Sequence, residues 1–275
     1  MNITFKDWTK SGAPFIWLNA GAVAISIIMV LGLIGFIASK GLVHFWPAQI
    51  VEANYILPGN SATKIMGQVT NDEMVGRLQL EAVGLKTKDN ADEALRLLLK
   101  VGNRDVYGGD FRWVLEHHLS DQVYPLKAMA IERREWGNFY GYLAKVYEGH
   151  TLIADANEDH DKAWVAFQTL IERALHTHDT IMTIQKKEIG AINHKLERLR
   201  LQERAVELNG ELDAAKKAEF KAERDALNTE YKSYEGRMNQ LYADLKRDRF
   251  TAIEMNGSEV EIEMSQVVRA FKPNA

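Results

Sequence analysis

The sequence contains no cysteine. Disulfide scaffolds, thiolate metal sites and cysteine nucleophiles are thereby excluded, although the absence fits any compartment. Positive charge is not in excess: 34 Lys and Arg stand against 38 Asp and Glu, for a net charge of -4. A basic face for nucleic acid is not implied. Neither G-x-G-x-x-G nor G-x-x-x-x-G-K-[ST] occurs, so the usual glycine loops for nucleotide phosphates are missing. G-x-S-x-G and H-E-x-x-H are missing as well, and no pair of carboxylates stands out from the general charge. The chain is expected not to be an enzyme, with no catalytic, cofactor or metal residue to assign.

What the sequence does have is one long uncharged run. Residues 15–38 carry no charge, and Asn19 and Ser26 are their only clearly polar side chains. Crossing a bilayer takes about 20 apolar residues. Pro14 stands at the start, where its missing N–H costs little, and Trp17 and Trp46 lie near the two ends, where indoles favour the headgroup level. A cleaved signal peptide would have an apolar core of about 7–15 residues and a small-x-small site; this run is longer, and Ser39-Lys40-Gly41 is a poor site. We therefore expect a single uncleaved transmembrane helix in contact with lipid. Lys6 and Lys10 precede it and Lys40 alone closely follows, which by the positive-inside rule puts residues 1–14 in the cytoplasm and residues 41–275 outside.

The remainder divides by composition. Residues 41–156 read as an extracytoplasmic α+β domain, beginning with a connector over 41–58 broken by Pro47 and Pro58. Short extended pieces are expected at 64–69 and 74–80 around a Thr70-Asn71-Asp72 turn. Asp89-Asn90 would cap a helix over 91–100, stopped by Gly102-Asn103. Strands are expected at 111–119 and 126–135, with 136–147 continuing the sheet. Residues 157–248 lack proline and alternate charge signs. Ile171, Leu175, His178, Met182, Gln185, Ile189, Ile192, Leu196, Leu199, Glu203 and Val206 follow a heptad seam. A second seam runs through Phe220, Arg224, Leu227, Tyr231, Tyr234, Met238, Leu241 and Leu245. With Asn209-Gly210 as the stop between them, they predict a long antiparallel helical hairpin of coiled-coil type. Its first arm, of about 50 residues, would be roughly 75 Å long. Gly190 and Gly236 lie at similar distances from the turn and suggest close helix approach. Residues 249–275 return to strand: 250–255 and 259–264 alternate around Asn256-Gly257, a β-hairpin signal, expected to rejoin the sheet of 41–156. The fold class is thus mostly α with an α+β part.

Candidate chemistry is sparse. His176, His178 and Asp179 resemble a metal cluster, but helical residues two apart point about 200° apart, and His178 with Met182 would bind only weakly. His117 and His118 in a strand would face opposite sides. Glu132-Arg133-Arg134-Glu135 suggests an oxyanion site, though strand geometry again parts the arginines and surface ion pairs suffice. Trp136, Phe139, Tyr140 and Tyr142 form either a ligand platform or, as we favour, core or membrane-surface contacts.

Four strings then carry a resemblance: Ser11-Gly12-Ala13-Pro14-Phe15-Ile16-Trp17-Leu18, Lys40-Gly41-Leu42-Val43-His44-Phe45-Trp46-Pro47, Gly102-Asn103-Arg104-Asp105-Val106-Tyr107-Gly108 and Glu132-Arg133-Arg134-Glu135-Trp136-Gly137-Asn138-Phe139-Tyr140. The closing Val267-Val268-Arg269-Ala270-Phe271-Lys272-Pro273-Asn274 adds to them. Together they resemble the extended N-terminal region of the PstA family of proteobacterial phosphate ABC transporter permeases. The resemblance implies inorganic phosphate import across the bacterial inner membrane, with residues 41–275 periplasmic. It also implies three partners: a sister permease, a cytoplasmic ATPase and a periplasmic phosphate-binding protein. No second run of about 18 apolar residues follows Ala38, so residues 1–275 read as an N-terminal segment without the transport core. No phosphate-contacting residue is assigned. Two rival expectations are a stand-alone single-pass scaffold or sensor acting through its coiled coil, and a phosphate-binding module.

Overall fold

The computed structural model describes residue 8 and residues 11–45, 48–57 and 61–275. Lys6, Lys10, Trp46, Pro47 and Pro58, and with them the charge count before the helix, lie outside the described residues. The chain divides into two units, Met1–Ala48 and Gln49–Ala275.

The first unit is the helix α1 (Ala13–Phe45), longer at both ends than the uncharged run. Its segment Ala13–Leu42 has the length and apolar composition of a membrane span, a test that a signal sequence near the N-terminus also passes. Every side chain from 15 to 40 is exposed. Each large apolar one gains about 1.5–3 kcal/mol on leaving water.

The second unit is an α+β body with two antiparallel sheets. The first contains β1 (Ile50–Tyr55), β2 (Thr63–Gly76), β3 (Glu93–Lys100), β4 (Phe111–Leu115) and β5 (Leu119–Val123), in the order β4-β3-β2-β1-β5. β4 and β5 follow one another through the single 3-10 turn Glu116–His118 yet occupy opposite edges. The sheet must therefore curl until its edges approach. Val51, Ala53, Ile65, Leu99 and Val114 fill the inside.

Several expectations change here. Residues 50–55 are an inner strand of this sheet, not connector. The Thr70-Asn71-Asp72 turn is instead a bulge in one continuous β2, where pairing with β3 skips Thr70. The Thr70 hydroxyl donates to the Leu98 carbonyl at 2.9 Å. A short helix, α2 (Arg77–Ala82), follows. The helix expected over 91–100 is strand β3. Asp89 and Asn90 hold left-handed backbones (φ 53° and 57°), which turn the chain rather than cap a helix. The leucine-rich stretch then pairs with β2 on one side and β4 on the other. Tertiary pairing overrides leucine's helix preference. Gly102-Asn103 leads not out of a helix but into one short turn, α3 (Arg104–Tyr107).

The second sheet contains β6 (Ala128–Arg133), β7 (Asn138–Glu148), β8 (Thr151–Asp155), β9 (Arg249–Ile253), β10 (Glu259–Glu263) and β11 (Val267–Phe271). Its order is β10-β9-β7-β6-β11, with β8 on the end of β7. The C-terminal hairpin forms as expected and joins β7 through β9. Gly257 takes φ 87° in its turn. Residues 41–156 thus do not make one sheet with 249–275 added: 50–123 close on themselves, and 128–155 pair with 249–271.

Between β8 and β9 stand the helices. Asp159 caps α4 (His160–Thr183), accepting from the N–H groups of Asp161 and Lys162 at 3.1 and 3.0 Å. A π turn, Ile184–Ile189, leads into α5 (Gly190–Leu208). Gly210 (φ 74°) stops it, and Asp213 caps α6 (Ala214–Leu245) through the Lys216 N–H at 2.7 Å. The side-chain pairs Gln185–Tyr242, Glu188–Tyr234 and Glu203–Arg224 run in opposite senses along the two arms. Every residue of both heptad walks is buried or half-buried. Gly236 is exposed, with no atom within 4 Å of an added Cβ, so close helix approach is not the role of that glycine.

The arms have two separate cores. Near the sheet, Phe167, Leu170 and Ile171 of α4 join Met129, Phe139, Phe250 and Met264. Farther out, Ile192, Leu199 and Leu227 form their own cluster with Leu196, Phe220, Tyr231 and Tyr234.

Candidate functional site

The blocks 102–108 and 132–140 meet in space. Asn103 holds a left-handed backbone (φ 50°) and places its amide on the backbone of β7. Its Oδ1 accepts from the Tyr140 N–H at 2.8 Å, and its Nδ2 donates to the Tyr140 carbonyl at 3.1 Å. The same Nδ2 donates to Glu254 Oε1 at 3.3 Å. Glu254, only 2% exposed, also accepts from the Tyr107 hydroxyl at 3.4 Å. Burial raises the Glu254 pKa, and the charge of Asp105 adds to this, against the hydrogen bonds from Tyr107 and Asn103. Burial, then the charge of Glu254 and its hydrogen bond, push the Tyr107 hydroxyl up to about 12.

Beside this joint lies Arg133, whose side chain is 1% exposed. It grips Asp105 with two bonds of 2.9 and 2.8 Å, and donates to the carbonyls of Trp136 and Gly137 at 3.2 Å each. The hydrogen bond from Arg133 holds the Asp105 pKa below the usual carboxylate value. With its donors taken by protein oxygens, this guanidinium does not face an oxyanion. Arg134 is exposed and lies in the bend after β6, so the two arginines part, but not by alternation along the strand expected over 126–135. Two hydroxyls add further bonds between the sheets: Tyr140 donates to Gln68 Oε1 at 2.8 Å, and Tyr142 donates to Glu52.

The arms carry a second concentration of polar groups. At their root Arg173 bonds Glu148 at 2.6 Å and also Asp248, and Arg247 bonds Asp248 at 3.0 Å. Burial acts to raise the Asp248 pKa, but the bonds from Arg247 and Arg173 outweigh it, and the net shift is downward. Along the π turn lies an open cleft of ≈ 400 Å³ lined by His176, Asp179, Thr180, Thr183, Ile184, Glu188, Tyr234 and Arg237. Tyr234 donates to Glu188 across it at 3.3 Å.

The structure does not assemble the suspected metal cluster. His176 lines the cleft, whereas His178 is half-buried, its pKa lowered by burial and by the charge of Arg134. Met182 is also half-buried. Among the described residues no group of three or more His, Asp or Glu could hold a metal ion. His117 and His118 correct the sequence reading: they sit on a 3-10 turn, not a strand, and their rings meet edge to face at 4.4 Å. The aromatic platform is not formed. Phe139 lies in the core beneath the arms and Tyr140 between the sheets, while Trp136 is 54% exposed.

Asn103, Tyr107, Glu254, Arg173 and Asp248 were not among the candidate site residues read from the sequence, although Asn103 and Tyr107 lie in the block 102–108. Asn103 and Glu254 are 151 residues apart, and no short-range pattern joins them. Comparison with family models, with curated proteins and with solved structures finds no match.

Proposed function

We propose that the chain is the membrane-anchored N-terminal segment of a phosphate-importer permease, acting through an extracytoplasmic docking body rather than through catalysis. The observation that carries this reading is a clasp where the body begins and ends. Asn274 accepts from the Ile50 N–H at 2.9 Å, donates to the Ile50 carbonyl at 2.8 Å, and donates to the Pro125 carbonyl at 3.0 Å. Residues 50 and 274 thus meet at one point, an arrangement that suits an insertion between two membrane spans. The apolar helix and the meeting of the two resemblance-bearing blocks support the same reading. Lipid, a sister permease, a cytoplasmic ATPase and a phosphate-binding protein outside the inner membrane are its partners. The arms, a coiled-coil hairpin in this reading, serve as the docking element.

The test shortens the arms where they touch. Glu188 and Tyr234 are joined by a short glycine linker and residues 189–233 removed. Phosphate uptake by cells at low phosphate should fall while the level of the chain in the membrane stays the same. Unchanged uptake would remove the docking role. The separate outer core of the arms also favours a second reading, a single-pass scaffold whose arms bind a partner unrelated to phosphate. In that case uptake is untouched, and a partner cross-linked to residues 189–233 is not an importer component.

A further inference from the structure

The two sheets share one plan down to single residues. In each, five strands take the same order, with the first strand between the second and the fifth and the fourth at the far edge. In each, a three-residue 3-10 turn joins the fourth strand to a five-residue fifth: Glu116–His118 before β5 and Met264–Gln266 before β11.

Registers agree as well. Val51 faces Gly67, and Met129 faces Gly141. Gln68 faces Lys100, and Tyr142 faces Ile253. Lys100 faces Phe111, and Ile253 faces Glu259. Glu52 faces Val123, and Ala130 faces Phe271. The second strand skips one residue at the same place, between Val69 and Asn71 and between Leu143 and Lys145. The matching glycines meet matching obstacles: a methyl group on Gly67 would strike the Lys100 carbonyl, and one on Gly141 the Ile253 carbonyl. Each carbonyl belongs to the last residue of the third strand in its sheet.

The loops after those third strands are exchanged. Asn103, beyond β3, bonds the Tyr140 N–H; Met255, beyond β9, accepts from the Met66 N–H at 3.1 Å. Tyr140 and Met66 are equivalent positions, so the loop of each unit reaches the same place on the second strand of the other.

We infer that the body is two copies of one five-stranded unit, 50–123 and 128–271, and that the helical arms are an enlarged form of a connection both copies possess. That connection lies between the second and third strands. In the first copy it is residues 77–92, where Leu80 of α2 packs with Val75, Ala94 and Leu115. In the second it is residues 149–248, where Phe167 of α4 packs with Phe250 and Met264. The third strand in each copy ends at the joint, so the connection leaves from the opposite end. The inference does not depend on the importer reading.

The cysteine-free chain permits a direct test. Two double variants of the full chain, Glu52→Cys with Val123→Cys and Ala130→Cys with Phe271→Cys, place thiols on the equivalent first-to-fifth strand pairs. Both should cross-link within the chain on mild oxidation, to similar extents. Closure of one pair but not the other would overturn the equivalence. If either double variant fails to fold, Gly67→Ala and Gly141→Ala decide separately: both should lower the melting temperature, and full tolerance of either one would also overturn it.

Discussion

Asn103 does the work of a missing strand, presenting one acceptor and one donor to the backbone of Tyr140. Removing its amide leaves buried groups unpaired, at about 1–3 kcal/mol. Asn103→Ala should therefore lower the unfolding free energy by about that amount in urea titrations, with the secondary structure content kept. The two carboxylates of this joint respond to pH with opposite sign. The Glu254 pKa is raised in the folded chain. Its stabilising contribution is complete below the ordinary value of about 4.3 and is lost as pH rises through the folded value, because the unfolded chain releases its proton first. Asp105 is lowered, so its contribution is present above the ordinary carboxylate value and is lost as pH falls through the folded value. Glu254→Gln should thus gain stability relative to the parent as pH rises from 4 to 7, in melts compared at each pH. A difference that stays constant would contradict the charge argument.

At the scale of elements, the helices of 157–248 and the last β-hairpin were legible because each repeats a short period. Every step of the heptad walks is buried or half-buried, and Asn256-Gly257 marks a turn between alternating strands. Less legible was β3: its consecutive leucines fit a helix face or a strand paired on both sides, and only β2 and β4 decide. β1 hid between proline-marked segments. The joint was not legible at all, because the positions it unites lie in three separate parts of the chain. Nor was the doubling of the sheets, since of the equivalent pairs only a few, such as Gly67 and Gly141, keep the same residue. The root of the arms belongs to the sheet core. Phe167, fully buried against Phe250 at a ring distance of 4.7 Å, should cost about 3–5 kcal/mol when cut to alanine. Leu201→Ala on the exposed outer arm should change stability by less than about 0.5 kcal/mol. Thermal melts of the two variants check both values.

At the scale of the whole molecule, the apolar helix α1 and the α+β body are two separate units. Hydrocarbon satisfies α1 in a way that water does not, because more than 20 consecutive side chains stand exposed on it. The clasp of Asn274 on Ile50 brings the first strand of the body and its last described residues together. The function proposed above places the body on the side of the membrane opposite the N-terminus. The most direct measurement is labelling of a single thiol. Leu201→Cys, on an exposed stretch of α5, gives a chain with one reactive group. Treated on cells whose inner membrane is intact, a maleimide that cannot cross that membrane should modify it fully, with the uncleaved chain recovered in the membrane fraction. Labelling only after lysis, or recovery of the intact chain in the soluble fraction, would contradict the account.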